Sequence, residues 1–363
     1  MLFHILWISP LFLWHFSKAK KIFLLLYVAV FDTVVEFVFV AVFVVVFVFV
    51  FEVVAVFDVV VGIVCNAKNA LAINERIEIM LQDLSFGHLD NQYHESCPEG
   101  ADILLCMRGG DILIHRNADN TLHLPTWQQA EPLCGNWNTW GGRNAQFIFS
   151  MQERNYYLWM GEAGDIPGFS YEPASSLRQT VSKDICFAAM TGWHLFTWSR
   201  KNQFCGRCGQ KTEHDHKERM MRCPSCGNMI YPRIAPAAII AVTDGNRLVL
   251  SKYAGRAYTR FALIAGFLEI GETAEEGVAR EVMEEVGLKV KNIRYYKSQP
   301  WGIAGNLLFG YFCDLDGDDT IRIDENELSM AGWYDRHDLP AKDDGISLTR
   351  EMIRIFGENN EPK

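Results

Sequence analysis

Between Gly266 and Leu288 the chain reads GFLEIGETAEEGVAREVMEEVGL, with seven glutamates and one arginine. The spacing predicts a helix over 273–286, with Gly287 as its stop. Val278, Val282 and Val286 then recur at i, i+4 and i+8 and bury one face. Glu281, Glu284 and Glu285 stand at i, i+3 and i+4 on the neighbouring face, so their carboxylates project toward a common point. Charges so placed repel one another in a cleft, and a divalent cation removes that cost. Oxygen donors without His or Cys select hard ions, Mg²⁺ or Mn²⁺. Such ions suit hydrolysis at phosphorus, because they neutralise phosphate oxygens and acidify an attacking water. Glu281 and Glu285 are the expected direct ligands. Glu284 is either a further ligand or the general base, roles that spacing does not separate. Arg280 is expected to point elsewhere and pair with Glu272, orienting the loop against the helix. A solvated acidic helix would explain the charge, but neither Glu272 nor the glycines at the two ends.

A second constellation lies upstream. Cys205, Cys208, Cys223 and Cys226 form C-x2-C-x14-C-x2-C, in FCGRCG and RCPSCG. Each C-x2-C turn lets two thiolates converge on one ion, and four close a tetrahedral shell with no position for water. The implied ion is structural Zn²⁺. His214 and His216, between the knuckles, are expected to face solvent.

These sites need elements to carry them. Residues 80 to about 180 alternate short apolar runs (ILLCM, DILIH, AQFIFS, YYLWM) with turn-rich pieces, the pattern of a β-rich domain. From Ser182 to Ser199 the pattern becomes helical and delivers the chain into the cysteine cluster, with Trp193 and Trp198 expected in the core. The first 65 residues differ in kind. Phe37 to Phe51 reads FVFVAVFVVVFVFVF, fifteen uncharged residues, short of the ~20 that a membrane-spanning helix requires. Adding the upstream IFLLLYVAVF places Asp32 and Glu36 inside the span. The favoured reading is an upstream start outside the native fold, ordinary sequence resuming near Met80. A membrane anchor is the main alternative, and an aggregation-prone β segment the third. The expected organisation is 1–79 as this extension, 80–200 as the β-rich domain ending in a helix, 201–232 as a zinc ribbon, and 233–363 as the hydrolytic domain. A net charge of −10 over 363 residues argues against a broad nucleic-acid footprint and suits a cytoplasmic protein.

Gly266, Glu272, Arg280-Glu281-Val282, Glu284-Glu285 and Gly287-Leu288 fill every position of G-x5-E-x7-R-E-U-x-E-E-x-G-U, U being apolar. This resembles the Nudix box. With the cysteine knuckles and YPRIAP (231–236) ahead of it, and SQPW beginning at Ser298 behind it, the chain after Met80 closely resembles the NADH pyrophosphatase family. The resemblance implies an α+β fold, a Nudix α/β/α sandwich with a mixed sheet, preceded by a zinc ribbon and a β-rich N-terminal domain. It implies cleavage of NAD(H) to AMP and nicotinamide mononucleotide, extension to NAD-capped RNA, and a homodimer whose subunits both contribute to each site. It further implies a metal bond from the Ala265 carbonyl and a downstream glutamate, Glu327, with Glu325 the near competitor. Tyr231 is implied to stack on or flank a base, and residues 299–306 (Gln299, Pro300, Trp301, Gly302, Ile303, Ala304, Gly305, Asn306) to line its pocket. Thr349 and Arg178 are implied as further substrate contacts.

The chain departs from the family where the usual motif is SQPWPFPxS, for here it reads SQPWGIAGN. Losing one aromatic face and two prolines is expected to loosen the loop and bears on dinucleotide preference. ADP-ribose or another nucleoside diphosphate derivative is therefore the alternative substrate, and a zinc-ribbon RNA-binding or regulatory module the alternative of another class. Neither G-x-G-x-x-G nor a P-loop occurs, so NAD(H) would be substrate, not cofactor.

Overall fold

The computed structural model describes residue 83 and residues 89–133, 145–161, 164–179, 182–255, 259–340 and 345–363. The expectations for residues 1–79 lie outside these. Among the described residues, no helix is long and apolar enough to cross a membrane.

The N-terminal part is a seven-stranded sheet of β1 (Leu89–Asp90), β2 (Ile103–Arg108), β3 (Asp111–Arg116), β4 (Leu122–His123), β5 (Ala145–Met151), β6 (Arg154–Trp159) and β7 (Ser170–Pro173). The order is β1-β5-β6-β2-β3-β4, with β7 on β3 and only β2–β6 parallel. In β2, the odd-numbered Ile103, Leu105 and Met107 face one apolar cluster and Leu104 and Cys106 another. A short helix, α1 (Trp127–Ala130), adds Trp127 to the second cluster. The first is covered by α2 (Lys183–Lys201), whose Cys186, Ala189 and Met190 pack into it. The helix thus starts one residue later and ends two later than its expected bounds.

The ribbon is three two-residue strands, β8 (Glu213–His214), β9 (Met221–Arg222) and β10 (Met229–Ile230), in order β10-β9-β8.

The C-terminal part is a mixed sheet between two helices. Its strands are β11 (Ala235–Asp244), β12 (Arg247–Tyr253), β13 (Ile264–Phe267), β14 (Val290–Trp301), β15 (Asn306–Leu315) and β16 (Leu328–Asp335). The order is β14-β15-β11-β12-β16, with β13 also on β11 and β11–β15 the parallel pair. Helix α3 (Ala274–Val286) buries Val278, Val282 and Val286 on Ala238, Ile240 and Val242 of β11. Helix α4 (Leu348–Gly357) buries Leu348, Met352, Ile353 and Phe356 against Ala237, Ile239 and Ala241 of the same strand. A strand apolar at every position from Ala237 to Val242 must be covered on both faces. The result is the expected α/β/α sandwich.

Candidate active site

Helix α3 is fixed at both ends. At its start, Thr273 Oγ1 accepts from the Glu276 N–H (3.2 Å), and Glu276 Oε2 accepts from the Thr273 N–H (2.7 Å), a reciprocal cap. At its end, Gly287 takes the left-handed conformation at φ 69°. Glu281 and Glu285 lie on the buried side, 9% and 2% exposed, whereas Glu284 is exposed. Strand β13 passes close above. A Cβ at Gly266 would fall 2.0 Å from the Glu281 carboxyl carbon. Only a glycine there leaves room for the carboxylate.

Arg280 gathers the charges. It donates to Glu272 from Nη2 (2.6 Å) and Nε (3.0 Å), to Glu281 Oε1 (2.8 Å), to Glu284 Oε2 (2.9 Å) and to the Phe267 carbonyl (3.0 Å). The pairing with Glu272 agrees with expectation, but Arg280 does not point away from the helix carboxylates. Arginine has five donors in a fixed fork, enough to serve the loop and the helix together. Its hydrogen bonds hold the Glu272 carboxyl down at about 2. That contribution to stability is therefore present above 4.5 and is lost as pH falls through about 2. Glu281 moves the other way, raised first by burial and further by Glu284 and Glu327, despite Arg280.

Glu327 is held on a strap beside the helix end. Asp324 N–H donates to the Glu285 carbonyl (3.0 Å), Glu327 N–H to the Asp324 carbonyl (3.1 Å), and Ala254 N–H to the Glu327 carbonyl (2.8 Å). Ala265 sits half-buried in β13, in register with Ile239. No three of these glutamates bring donor oxygens within 4.8 Å of one another, and Arg280 holds Glu272, Glu281 and Glu284.

The cysteines do converge. Among the described residues, Cys205, Cys208, Cys223 and Cys226 are the group whose donor atoms all lie within 4.8 Å, with Sγ–Sγ distances of 3.6 Å (Cys205–Cys226) and 3.5 Å (Cys208–Cys223). The Arg207 N–H donates to the Cys205 sulfur (3.4 Å) and, with the neighbouring thiols, lowers its pKa, so the thiolate is favoured there. Soft donors in this number suit a tetrahedral thiophilic ion. His216 is exposed and bonds Glu95 (3.0 Å). His214 does not face solvent as expected: it lies edge-on to Trp198 at 6.4 Å, and burial pushes its pKa down to about 4. Cys223→Ser should release the ion and melt the three short strands, which the two knuckles tie together. Metal content and the proteolysis rate within 201–232 report this; retained metal with an intact ribbon would refute it.

The remaining residues surround a cleft of about 560 Å³ between α2, the segment after β10 and the β14–β15 turn. Tyr231, 53% exposed, borders it together with Gly302, Ile303, Ala304, Gly305 and Asn306. Its hydroxyl donates to Glu218 (2.6 Å). Trp193 and Trp198 also border the cleft, although Trp198 is buried in the core as expected. His194, Lys201, Arg233 and Phe267 were not singled out from sequence. Phe267 carried a signal, an aromatic directly after the box glycine.

Five residues stand elsewhere. Gln299 is fully buried: its Nε2 donates to the Ile346 carbonyl (2.7 Å) and its Oε1 accepts from the Leu348 N–H (2.8 Å), so it fixes the start of α4 instead of lining the cleft. Gln299→Leu should cost about 2–6 kcal/mol, each of the two deserted backbone groups costing ~1–3. An unchanged denaturation midpoint would refute the clamp. Pro300 is exposed outside the cleft lining, Trp301 packs into both the N-terminal and C-terminal cores, and Thr349 lies half-buried in the first turn of α4. Arg178 falls on the 3-10 segment Ala174–Gln179, its side chain outside the described part.

Two family models match this chain: the NUDIX domain over residues 233–355 and the NADH pyrophosphatase zinc ribbon domain over 200–231. The chain is 38% identical over 198 residues to the NAD-capped RNA hydrolase NudC of Erwinia tasmaniensis, covering 54% of this chain and 76% of that one. It is 33% identical over 205 residues to the protein of the same name from Pseudomonas fluorescens, covering 55% and 72%. Among solved structures, a NUDIX hydrolase from Nitrosomonas europaea aligns at TM-score 0.38 and 22% identity, over 43% of this chain and 91% of that one.

Proposed function

We propose that this chain, which belongs to the NADH pyrophosphatase family of Nudix hydrolases, cleaves the pyrophosphate of NAD(H) to AMP and nicotinamide mononucleotide, and by the same step releases nicotinamide mononucleotide from NAD-capped RNA, leaving a 5′-monophosphate. The observation that carries this reading is the pair of buried carboxylates on α3, Glu281 and Glu285, the first lying under Gly266 of β13, the strand whose last residue, Phe267, borders the Tyr231 cleft.

The donors fit a hard divalent cation. Glu272, Glu281 and Glu284 share one guanidinium, and Glu285 and Glu327 add charge at the same helix end. Buried carboxylates are costly unless a cation offsets them. Glu281, Glu285, the Ala265 carbonyl and Glu327 would hold Mg²⁺ or Mn²⁺. Such an ion neutralises phosphate oxygens and lowers the pKa of a bound water. Glu284, exposed beside them, would act as the general base. Arg280 keeps the Glu272 loop and the helix in fixed relation. Tyr231 and Phe267 offer aromatic faces to a base, and Lys201 and Arg233 place cations in the same cleft, suited to phosphate. In this reading the four thiolates hold Zn²⁺ structurally, and the reduced cysteines fit the cytoplasm.

A second copy of the chain completes the site. Phe204, Met229, Ile234 and Ile270, 61%, 52%, 60% and 102% exposed, leave apolar surface on the ribbon and around the box. Sedimentation should give a dimer, and a monomer that turns over at full rate would exclude shared sites.

The deciding measurement compares kcat/KM for NADH, NAD⁺, NAD-capped RNA and ADP-ribose with Mn²⁺, read by the released nucleotide. AMP from NADH with higher kcat/KM than ADP-ribose supports the reading. The altered turn at 302–306 favours ADP-ribose as the competing substrate, and its preference would replace the first. RNA bound without turnover would remove both.

A further inference from the structure

The β14–β15 turn replaces the proline-rich family motif with Gly302-Ile303-Ala304-Gly305, and it is not loose. Its tip lies on helix α2. A Cβ at 302 would fall 2.2 Å from the Met190 carbonyl oxygen and 2.7 Å from its carbon, backbone atoms held inside a helix. One helical turn on, the ring of His194 meets Gly305: a Cβ there would lie 3.2 Å from Nε2, and φ is +72°. The turn closes on itself through Ala304 N–H to the Trp301 carbonyl and Gly305 N–H to the Gly302 carbonyl, both 3.2 Å. Trp301, just before it, enters both cores.

The same contacts reach the cleft. His194 Nε2–H donates to the Arg233 carbonyl (2.7 Å), and the Gly305 carbonyl accepts from the Ala235 N–H (3.0 Å). Residues 231–234 belong to neither β10 nor β11. The stretch that carries Tyr231 and Arg233 is therefore held at its C-terminal end by two bonds, one from α2 and one from the turn.

We infer that the Gly302–Gly305 turn, docked on α2, is a positioning element for substrate recognition, fixing through His194 the segment that presents Tyr231 and Arg233 to the dinucleotide. This rests on the proposal that the cleft takes the dinucleotide. It implies that proline at 302 would drive the turn off Met190 and not improve the site.

The test uses the full chain with NADH and Mn²⁺. His194→Phe keeps an aromatic ring and deletes the donor, His194→Gln keeps a donor, and Gly302→Ala adds the single carbon. With stacking worth ~1–3 kcal/mol per base, the expected rise in KM is about tenfold for His194→Phe and Gly302→Ala, with kcat within about twofold, and His194→Gln stays near wild type. Amide exchange over 231–235 should quicken in the first two variants only. Unchanged KM in both, a fall confined to kcat, or failure of glutamine to restore KM would overturn the inference. Should the wild type release no AMP from NADH, the proposed function falls, and exchange over 231–235 decides this inference by itself: quickening in His194→Phe sustains it, no change refutes it.

Discussion

Glu285→Gln lowers kcat for AMP release by about a thousandfold or more, equivalent to ~4 kcal/mol of transition-state stabilisation. The side chain is 2% exposed, and glutamine has nearly its shape, so packing beside Val282 and Val286 should survive. What changes is charge. One neutral oxygen donor replaces an anion in a hard-ion site, weakening the cation and the acidification of water that it brings. Removing a buried charge also relieves the ion-free protein, so the thermal midpoint without metal should hold or rise while the increase on adding Mn²⁺ shrinks. Activity above about a tenth of wild type at saturating Mn²⁺ is incompatible with a metal-bearing Glu285.

Gly266→Ala reaches the same chemistry from the opposite strand. The new methyl would stand 2.0 Å from the Glu281 carboxyl carbon, deep inside contact distance. The clashing group is the end of a side chain, not backbone, so the carboxylate yields and the sheet remains. Displacing one direct ligand should cost about a hundredfold in kcat/KM, or ~2.7 kcal/mol, and weaken apparent Mn²⁺ affinity. Because the methyl acts only through Glu281, adding Glu281→Ala should lower activity by no more than about threefold beyond the glycine variant. Full additivity of the two losses would show that Gly266 serves something else.

Much of this was legible in the sequence, for reasons that mark where legibility ends. Helix α3 could be bounded because its cap, its valine spacing and its terminal glycine are local signals, and the sandwich followed from recognising the box. The convergence of four thiolates followed from two short turns. Arg280 was half understood: its link to Glu272 was expected, whereas its simultaneous hold on Glu281 and Glu284 depends on how far the fork reaches in three dimensions. Gln299 looked like a pocket residue from its motif, but its partners, Ile346 and Leu348, lie nearly fifty positions away. His214 looked exposed among polar neighbours until Trp198 was brought against it. The glycine turn read as a loss of rigidity because Met190, the atom group that disciplines it, lies over a hundred residues upstream. Local spacing reveals what a segment can do alone; it is silent about what another segment does to it.

Strand β14 begins at Val290, four residues after α3 ends, and runs with two irregularities in its pairing to Trp301, just before the turn that borders the cleft. The turn that follows it and the end of β13, where Gly266 covers Glu281, meet the same cleft from different segments of the chain. A lineage could rewrite the turn, as the glycines here show, while α3 keeps its carboxylates untouched. Taste and bite can evolve apart.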